Sequence, residues 1–194
     1  MQATKLTLGP MDNNVYVVVC PATRESLVID ASHDAERIAA AMEGTTPRYI
    51  LLTHGDADHI DVLDDLKARL KVPVGIHQDD AGRLTTPPDF MIADGQDISV
   101  GQVTLRALHT PGHTPGSLSF YVASGSTLFA GDTLFPGGPG ATHDNKDDFA
   151  QIIGSVREKL FVLPADTAVR PGHGSDTTIG AEQPHLQEWI DRGH

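Results

Sequence analysis

Cysteine is almost absent from the chain, since Cys20 is the only one. A disulfide within the chain is therefore excluded, and so is a zinc site made of several thiolates. The chain also lacks any stretch close to the roughly 20 apolar residues that a membrane-spanning helix needs. Its first residues do not show the charged and then apolar pattern of a secretory signal. We therefore expect a cytoplasmic protein that has no membrane partner.

Positive charge is scarce as well, with 14 lysines and arginines against 26 aspartates and glutamates and a formal net charge of -12. This negative field opposes binding to phosphate backbones, so we expect no nucleic-acid partner. Aromatic residues make up 5% of the chain, whereas 19 glycines and 13 prolines favour short elements joined by tight turns. The length of 194 residues and the 39% hydrophobic content predict one domain over residues 1–194.

The hydrophobic pattern predicts strands and helices in alternating groups. Ser32 is the expected N-cap of the first helix. Helices are predicted at 34–42, 60–71 and 149–160. Strands are predicted at 15–20, 26–29, 48–52, 72–76, 98–108 with a break at Gly101, 118–122, 127–130 and 167–169. Groups of strands separated by a few helices predict an α/β sandwich, with sheets packed on each other and helices outside.

A dense group of possible metal ligands occupies residues 53–59, Thr-His-Gly-Asp-Ala-Asp-His. His54, Asp56, Asp58 and His59 fall within six positions, and a packed core cannot easily hold so many polar side chains without an ion. An apolar run precedes the group and a helical pattern follows it. We therefore place the ligand-rich stretch on a loop between a strand and a helix.

Three further segments place a ligand type at a predicted strand end beside glycine or in a tight turn. They are Thr-Pro-Gly-His113-Thr-Pro-Gly, Ala-Gly-Asp132-Thr and Arg-Pro-Gly-His173-Gly. Strands that feed a common edge would bring these loops to residues 53–59, because loops on a rigid scaffold commonly hold functional residues. Four imidazoles and three carboxylates are enough for two metal ions.

The phrases HTPGHTPGS, AGDTLF and PGHG, together with the histidine and aspartate order, resemble the metallo-β-lactamase superfamily. Within it the chain looks most like the glyoxalase II-like metallo-hydrolases, also called hydroxyacylglutathione hydrolase-like. The resemblance implies a four-layer αββα sandwich. It also implies that the chain is a single metallo-β-lactamase-like domain without the added C-terminal helical domain of glyoxalase II.

The same resemblance implies two divalent metal ions, with zinc as the first expectation and iron, manganese or mixed occupancy as alternatives. A metal-bound hydroxide would attack a thioester or a related small acyl ester or lactone, so the expected partner is a small acyl compound. Asp58 and Asp132 are the catalytic candidates. The implied ligands are His54, Asp56 and His113 for one ion, Asp58, His59 and His173 for the other, and Asp132 as the bridge.

Position 56 departs from the family, which has a histidine there. A family histidine that binds through Nδ1 reaches as far from Cα as an aspartate oxygen, so Asp56 can replace it as a ligand. An anionic ligand favours iron or manganese more than an imidazole does. The alternative interpretation leaves Asp56 as a solvated carboxylate and fills only the Asp58, His59 and His173 site.

Other residues are predicted around these ligands. The glycine- and proline-rich stretch after Asp132 is expected to be an irregular pocket wall, with Phe135, Thr142 and His143 as substrate-binding candidates. Asp30 either orients a metal-binding histidine or serves only in a turn. His77 and His109 are expected to have structural roles.

Two alternative functions stay open. One is an oxidoreductase similar to the mononuclear iron persulfide dioxygenases, with iron at His54, His113 and Asp132. The other is a non-catalytic metal-binding protein. β-Lactamase and nuclease activities are disfavoured, and both a monomer and a homodimer are compatible with the sequence.

Overall fold

The computed structural model describes residues 1–193, and two six-stranded sheets form its centre. The first sheet contains, in spatial order, β1 (Gln2–Leu8), β2 (Asn13–Val19), β3 (Glu25–Ile29), β4 (Thr46–Leu51), β5 (Val74–Ile76) and β6 (Phe90–Met91). The second contains β14 (Thr177–Thr178), β13 (Ala168–Pro171), β10 (Thr127–Gly131), β9 (Leu118–Val122), β8 (Val103–His109) and β7 (Asp97–Val100). The pairs β3–β4 and β10–β13 are parallel, so the loops after these strands open at shared sheet edges.

Helices cover the outer face of each sheet. They are α1 (Ala35–Ala41), α2 (Ala57–Ile60), α3 (Leu63–Leu70), α4 (Lys146–Ser155), α5 (Ile179–Glu182) and α6 (Leu186–Arg192). A π-helical segment, Val156–Leu160, continues α4. With this continuation the helix ends where the prediction of 149–160 ends, but it begins three residues earlier, at Lys146, and its winding changes at Val156.

Strand β2 shows how the sequence builds these layers. Val15, Val17 and Val19 pack into one hydrophobic cluster, and Tyr16 and Val18 pack into another. Successive side chains of a strand point to opposite faces of the sheet. The part of the strand from Val15 to Val19 is apolar at every position and is therefore buried on both faces, as an inner layer requires.

Three hydrophobic clusters fill the spaces between the layers. Ile38 and Leu66 lie in the cluster between the first sheet and its helices. Leu27 and Phe120 lie between the two sheets, and Trp189 lies in the cluster between the second sheet and its helices. The order is helix, sheet, sheet, helix, which confirms the predicted αββα sandwich.

Two helix predictions are wrong in detail. Ser32 does not cap α1, because the carboxylate of Asp34 accepts the backbone N–H of Arg37 at 2.9 Å. The helix predicted at 60–71 is two helices, because the backbone N–H of Val62 donates to Ala31 O at 3.2 Å and interrupts the helical pattern. The first of the two, α2, begins inside the ligand-rich stretch, so that stretch is only partly a loop.

Several strand regions were also not predicted, among them the two-residue strands β6 and β14 at the sheet edges. Strand β1 is an edge strand whose burial alternates, and its few apolar residues give a weak pattern. The glycine- and proline-rich stretch after Asp132 is not irregular throughout, because β11 (Leu134–Phe135) and β12 (Gly138–Pro139) form a short hairpin. Gly137 provides the positive φ of 86° that this turn needs.

Candidate metal centre

All seven predicted ligands come together at one edge of the two sheets. His54, Asp56, Asp58 and His59 follow β4, and His113 lies between β8 and β9. Asp132 follows β10, and His173 follows β13. Their ligand atoms form three overlapping groups in which all atoms lie within 4.8 Å of one another.

The first group contains Asp58, His59 and His173. The two Nε2 atoms of the histidines are 3.0 Å apart. Asp58 Oδ2 lies 3.6 Å from His59 Nε2 and 3.3 Å from His173 Nε2. A tetrahedral ion with bonds of about 2.0–2.1 Å spaces its ligand atoms about 3.3 Å apart. These three atoms are therefore spaced as the ligands of one ion would be.

The second group contains His54, Asp56 and His113. Asp56 Oδ2 lies 3.3 Å from His113 Nε2 and 3.9 Å from His54 Nε2. The side chain of Asp56 thus has an oxygen among the imidazoles, which is the position expected of a ligand. The arrangement favours the interpretation of Asp56 as a ligand over that of a solvated carboxylate.

Asp132 lies between the two groups. Its Oδ2 is 3.6 Å from His113 Nε2 and 3.4 Å from His173 Nε2, and its Oδ1 is 3.6 Å from His59 Nε2. One carboxylate therefore contacts histidines of both groups. This is the position that the sequence assigned to a bridging ligand.

The four histidines are oriented alike, with Nδ1 held by a hydrogen bond and Nε2 turned to the common centre. A metal-binding histidine usually has its other ring nitrogen bound in this way, which fixes the ring and its tautomer. The partners of Nδ1 are Thr53 Oγ1 for His54 (2.9 Å), Asp30 Oδ2 for His59 (3.0 Å), Ala141 O for His113 (2.8 Å) and Met11 O for His173 (2.9 Å).

Two buried atoms at this centre lack a partner within residues 1–193, namely His54 Nε2 and Asp132 Oδ1. Buried polar atoms are normally satisfied, so such atoms indicate a ligand. Gly172 lines the same space, since a Cβ there would lie 2.1 Å from Asp132 Oδ1 and 2.8 Å from His59 Cε1. The residues therefore fit a metal centre.

The charges at the centre suit cations. The hydrogen bond from His113 outweighs the opposing effect of burial and lowers the pKa of Asp56 to about 2. Burial alone would raise the pKa of Asp132, yet the surrounding imidazoles hold it below its usual range. Burial and the neighbouring charge of His59 lower the pKa of His54 to about 4. Both carboxylates are therefore anionic and His54 is neutral at neutral pH. Burial opposes protonation of His59, but the hydrogen bond to Asp30 raises the pKa of His59 to about 9, so an ion has to displace a proton from that ring.

A family model for the metallo-beta-lactamase superfamily matches residues 8–173. The chain belongs to this superfamily. It is 32% identical to the probable metallo-hydrolase YqgX of Bacillus subtilis over 94% of this chain and 95% of that protein. It is 33% identical to the hydroxyacylglutathione hydrolase GloC of Haemophilus influenzae over 82% of this chain and 85% of that protein. The predicted resemblance to glyoxalase II-like metallo-hydrolases is thereby confirmed.

Solved structures of the superfamily show the same fold. The BLEG-1 B3 metallo-β-lactamase has a TM-score of 0.87 and 33% identity, over 95% of this chain and 98% of that one. ETHE1 from Myxococcus xanthus has a TM-score of 0.88 and 27% identity, over 100% and 90%. TTHA1623, solved in a di-iron-bound form, has a TM-score of 0.78 and 33% identity, over 93% and 96%.

Asp30 supports the Asp58, His59 and His173 group. Its Oδ2 lies 3.0 Å from His59 Nδ1, and its Oδ1 accepts the backbone N–H of Thr53 at 2.8 Å. Of the two roles considered for Asp30, the structure supports the orientation of a ligand.

Asn13, which sequence reasoning missed, donates from Nδ2 to Asp58 Oδ2 at 2.8 Å. Its position on a strand distant in sequence gave no local signal.

Asp80 is a second buried aspartate that sequence reasoning missed. Its Oδ2 accepts the backbone N–H of Gly55 and the hydroxyl of Thr114, both at 2.8 Å, and its Oδ1 accepts the N–H of Gly116 at 2.9 Å. A Cβ at Gly116 would lie 2.7 Å from Asp80 Cβ. Asp80 therefore fastens the loop of His54 to the loop that carries His113.

The predicted substrate-binding residues flank the centre on both sides. The Phe135 ring lies 6.4 Å from that of His173, and the His143 ring lies 6.3 Å from that of His113. Thr142 is buried next to His143. A cleft of about 440 Å³ adjoins this side, and residues 139–146 form most of its wall. The role of Phe135, Thr142 and His143 in substrate binding stays a prediction.

His77 and His109 lie outside the seven-residue centre and are close to each other and to Asp79. Their rings stack at 3.9 Å, and His109 Nε2 lies 2.8 Å from Pro115 O. That contact ties the end of β8 to the loop of His113, which agrees with the structural role expected of His109.

Among the described residues, no helix is long and apolar enough to cross a membrane.

Proposed function

We propose that the protein is a metal-dependent hydrolase of the glyoxalase II-like kind, acting on a thioester or a related small acyl ester or lactone. The observation that carries this proposal is the common orientation of the four histidines, whose Nε2 atoms converge around Asp132. Hydroxyacylglutathione hydrolases among the relatives support the choice of substrate class; one from Rhodospirillum rubrum is 39% identical over 84% of this chain and 62% of that protein.

Two divalent ions, when bound, would lower the pKa of water towards neutrality and polarise the acyl carbonyl. His54, Asp56 and His113 would hold one ion, and Asp58, His59 and His173 the other, with Asp132 between them. We propose zinc first, with iron or manganese as alternatives because Asp56 adds a carboxylate.

Two carboxylates act on the attacking water. Asp132 faces both ligand groups and orients the water between them. Asp58 also accepts a hydrogen bond from Asn13 Nδ2 at 2.8 Å, which fixes its carboxylate. Asp58 is placed to accept the proton that the water loses, since a general base must lie within hydrogen-bond reach of it.

The substrate would enter between Phe135 and His143, which flank the centre. The net charge of -12 favours a small acyl compound over a nucleic acid as the partner. We further propose that residues 1–194 form one domain, acting as a monomer or a homodimer.

The second candidate is an iron-dependent oxidoreductase similar to persulfide dioxygenases. His54 and His113 with Asp132 are two histidines and a carboxylate, a set that suits iron(II) with open positions for oxygen. The similarity to TTHA1623, solved in a di-iron-bound form, supports iron as a metal to test.

The test starts from elemental analysis of protein reconstituted with zinc or with iron(II). S-lactoylglutathione and a small lactone are the hydrolysis substrates, oxygen uptake with glutathione persulfide tests oxidation, and a cephalosporin tests β-lactamase activity. We expect hydrolysis of the thioester and loss of that turnover in Asp132→Ala. Protein that holds two metals per chain and hydrolyses none of the acyl compounds would contradict the proposal.

A further inference from the structure

The two oxygens of Asp56 have different surroundings. Oδ2 lies 3.3 Å from His113 Nε2, inside the ligand group. Oδ1 accepts a hydrogen bond from Arg83 Nη1 on the other side. The guanidinium that holds Oδ1 leaves Oδ2 as the oxygen turned towards the other ligands. The direction in which Asp56 points thus depends on Arg83.

Arg83 is itself held in place. It lies at the end of a short 3₁₀ turn, residues 81–83, and its Nε is 3.7 Å from Asp80 Oδ1. Its side chain also packs over Gly55, where an added Cβ would lie 2.8 Å from Arg83 Cβ and 2.9 Å from Arg83 Cδ. The glycine next to His54 therefore makes room for the stem of Arg83.

We propose that Arg83 positions Asp56 as a metal ligand, so that Asp56 and Arg83 together replace the histidine that the family resemblance implies at position 56. The inference rests on the proposed metal centre. It assigns a role to a residue that lies outside every ligand motif. Hydrogen bonds of this kind typically strengthen metal affinity by about 10- to 100-fold.

A positive charge so close to the centre has an opposing effect, because it repels a divalent ion. The Arg83 side chain is 43% exposed, so solvent screens its charge. Screened surface charges contribute little, about fivefold in a binding constant at most. Orientation therefore outweighs repulsion, and the sign of the change in affinity separates the two effects.

The test measures Zn²⁺ stoichiometry by elemental analysis and Zn²⁺ dissociation constants by competition with a chelator. For Arg83→Met we expect one dissociation constant to rise by about 10- to 100-fold and the other to stay unchanged. Arg83→Lys keeps a donor long enough to reach Asp56 and is expected to retain most of the affinity. Arg106→Met is the matched control, because Arg106 makes an ion pair with Asp97 at 2.9 Å away from the centre.

The same titration in variants of Asp56 separates positioning from a general effect on folding. Asp56→Ala is expected to hold about one ion and Asp56→His two. In the Asp56→His background, Arg83→Met is expected to leave both constants unchanged, because no carboxylate is left to orient. Unfolding in urea gives the stability of each variant independently.

Four results would overturn the inference. Tighter Zn²⁺ binding by Arg83→Met would mean that repulsion dominates, and an equal loss in both backgrounds would mean that Arg83 acts on the fold. Unchanged affinity in Arg83→Met, with two ions in the wild type, would refute only the role of Arg83. A wild type that binds fewer than two ions would also refute the proposed binuclear centre.

Discussion

The two ligand groups of the centre differ in how they are supported. In the Asp58, His59 and His173 group, the buried carboxylate of Asp30 lies against a ligand directly, 3.0 Å from His59 Nδ1. On the other side, the buried carboxylate of Asp80 accepts backbone N–H groups of the two loops that bear the ligands. The support by Asp30 depends on the identity of the ligand, whereas Asp80 binds two backbone N–H groups and the hydroxyl of Thr114 and contacts no ligand side chain.

This difference explains why position 56 can carry an aspartate instead of a histidine. The contacts of Asp80 stay the same whether residue 56 is an aspartate or a histidine. At position 59 an aspartate would face Asp30, and two buried carboxylates without a cation between them are costly. Position 56 can therefore accept an aspartate where position 59 cannot.

Replacement of Asp132 is expected to affect both ligand groups alike, because Asp132 contacts histidines of both. We expect Asp132→Ala to weaken both ions and to lower kcat/KM by about 10³-fold, the upper range for loss of one stabilising group in an active site. Metal analysis and turnover of S-lactoylglutathione measure the two effects. Retention of two tightly bound ions would show that the groups bind independently of Asp132.

The ligands could be predicted from the sequence because each follows a strand and lies in a short motif with glycine or proline. His113 and His173 are examples, since both occur in the sequence Pro-Gly-His. The four-layer fold could be predicted for a similar reason. Strands with continuous apolar residues and helices with an apolar stripe indicate which faces are buried.

The supporting residues could not be predicted in the same way. Asp80 and Arg83 lie in a turn without hydrophobic periodicity, and Asn13 lies on a strand far from Asp58 in sequence. Their contacts arise only when the sheets pack. Edge strand β1 was missed because one face is solvated and its apolar residues are few. The break between α2 and α3 depends on a contact with Ala31, which no local pattern contains.

Asparagine variants of the two buried aspartates sharpen the comparison. In Asp30→Asn the amide can donate to His59 Nδ1, which favours the tautomer protonated at Nε2, and that nitrogen then cannot bind a metal. We expect the Zn²⁺ affinity of this group to fall by about 10- to 100-fold. In Asp80→Asn an amide N–H faces a backbone N–H, so we expect a loss of about 1–3 kcal/mol in stability.

Urea unfolding and Zn²⁺ titration of both variants measure these two effects side by side. The matched pair controls for the loss of one buried negative charge, because each variant loses one. If Asp30→Asn changes only stability and Asp80→Asn only metal affinity, the contrast between the two supports is wrong.

The smallest effects are expected from the residues that flank the two groups, Phe135 beside His173 and His143 beside His113. His143 has a left-handed backbone with φ of 51°, which asparagine tolerates well, so His143→Asn tests the side chain rather than the backbone. For His143→Asn and Phe135→Leu we expect two bound ions, unchanged kcat and a KM raised severalfold. A fall in kcat of about 10²-fold in His143→Asn alone would instead indicate proton transfer by the imidazole. The two sides of the centre would then differ in chemistry as well as in support.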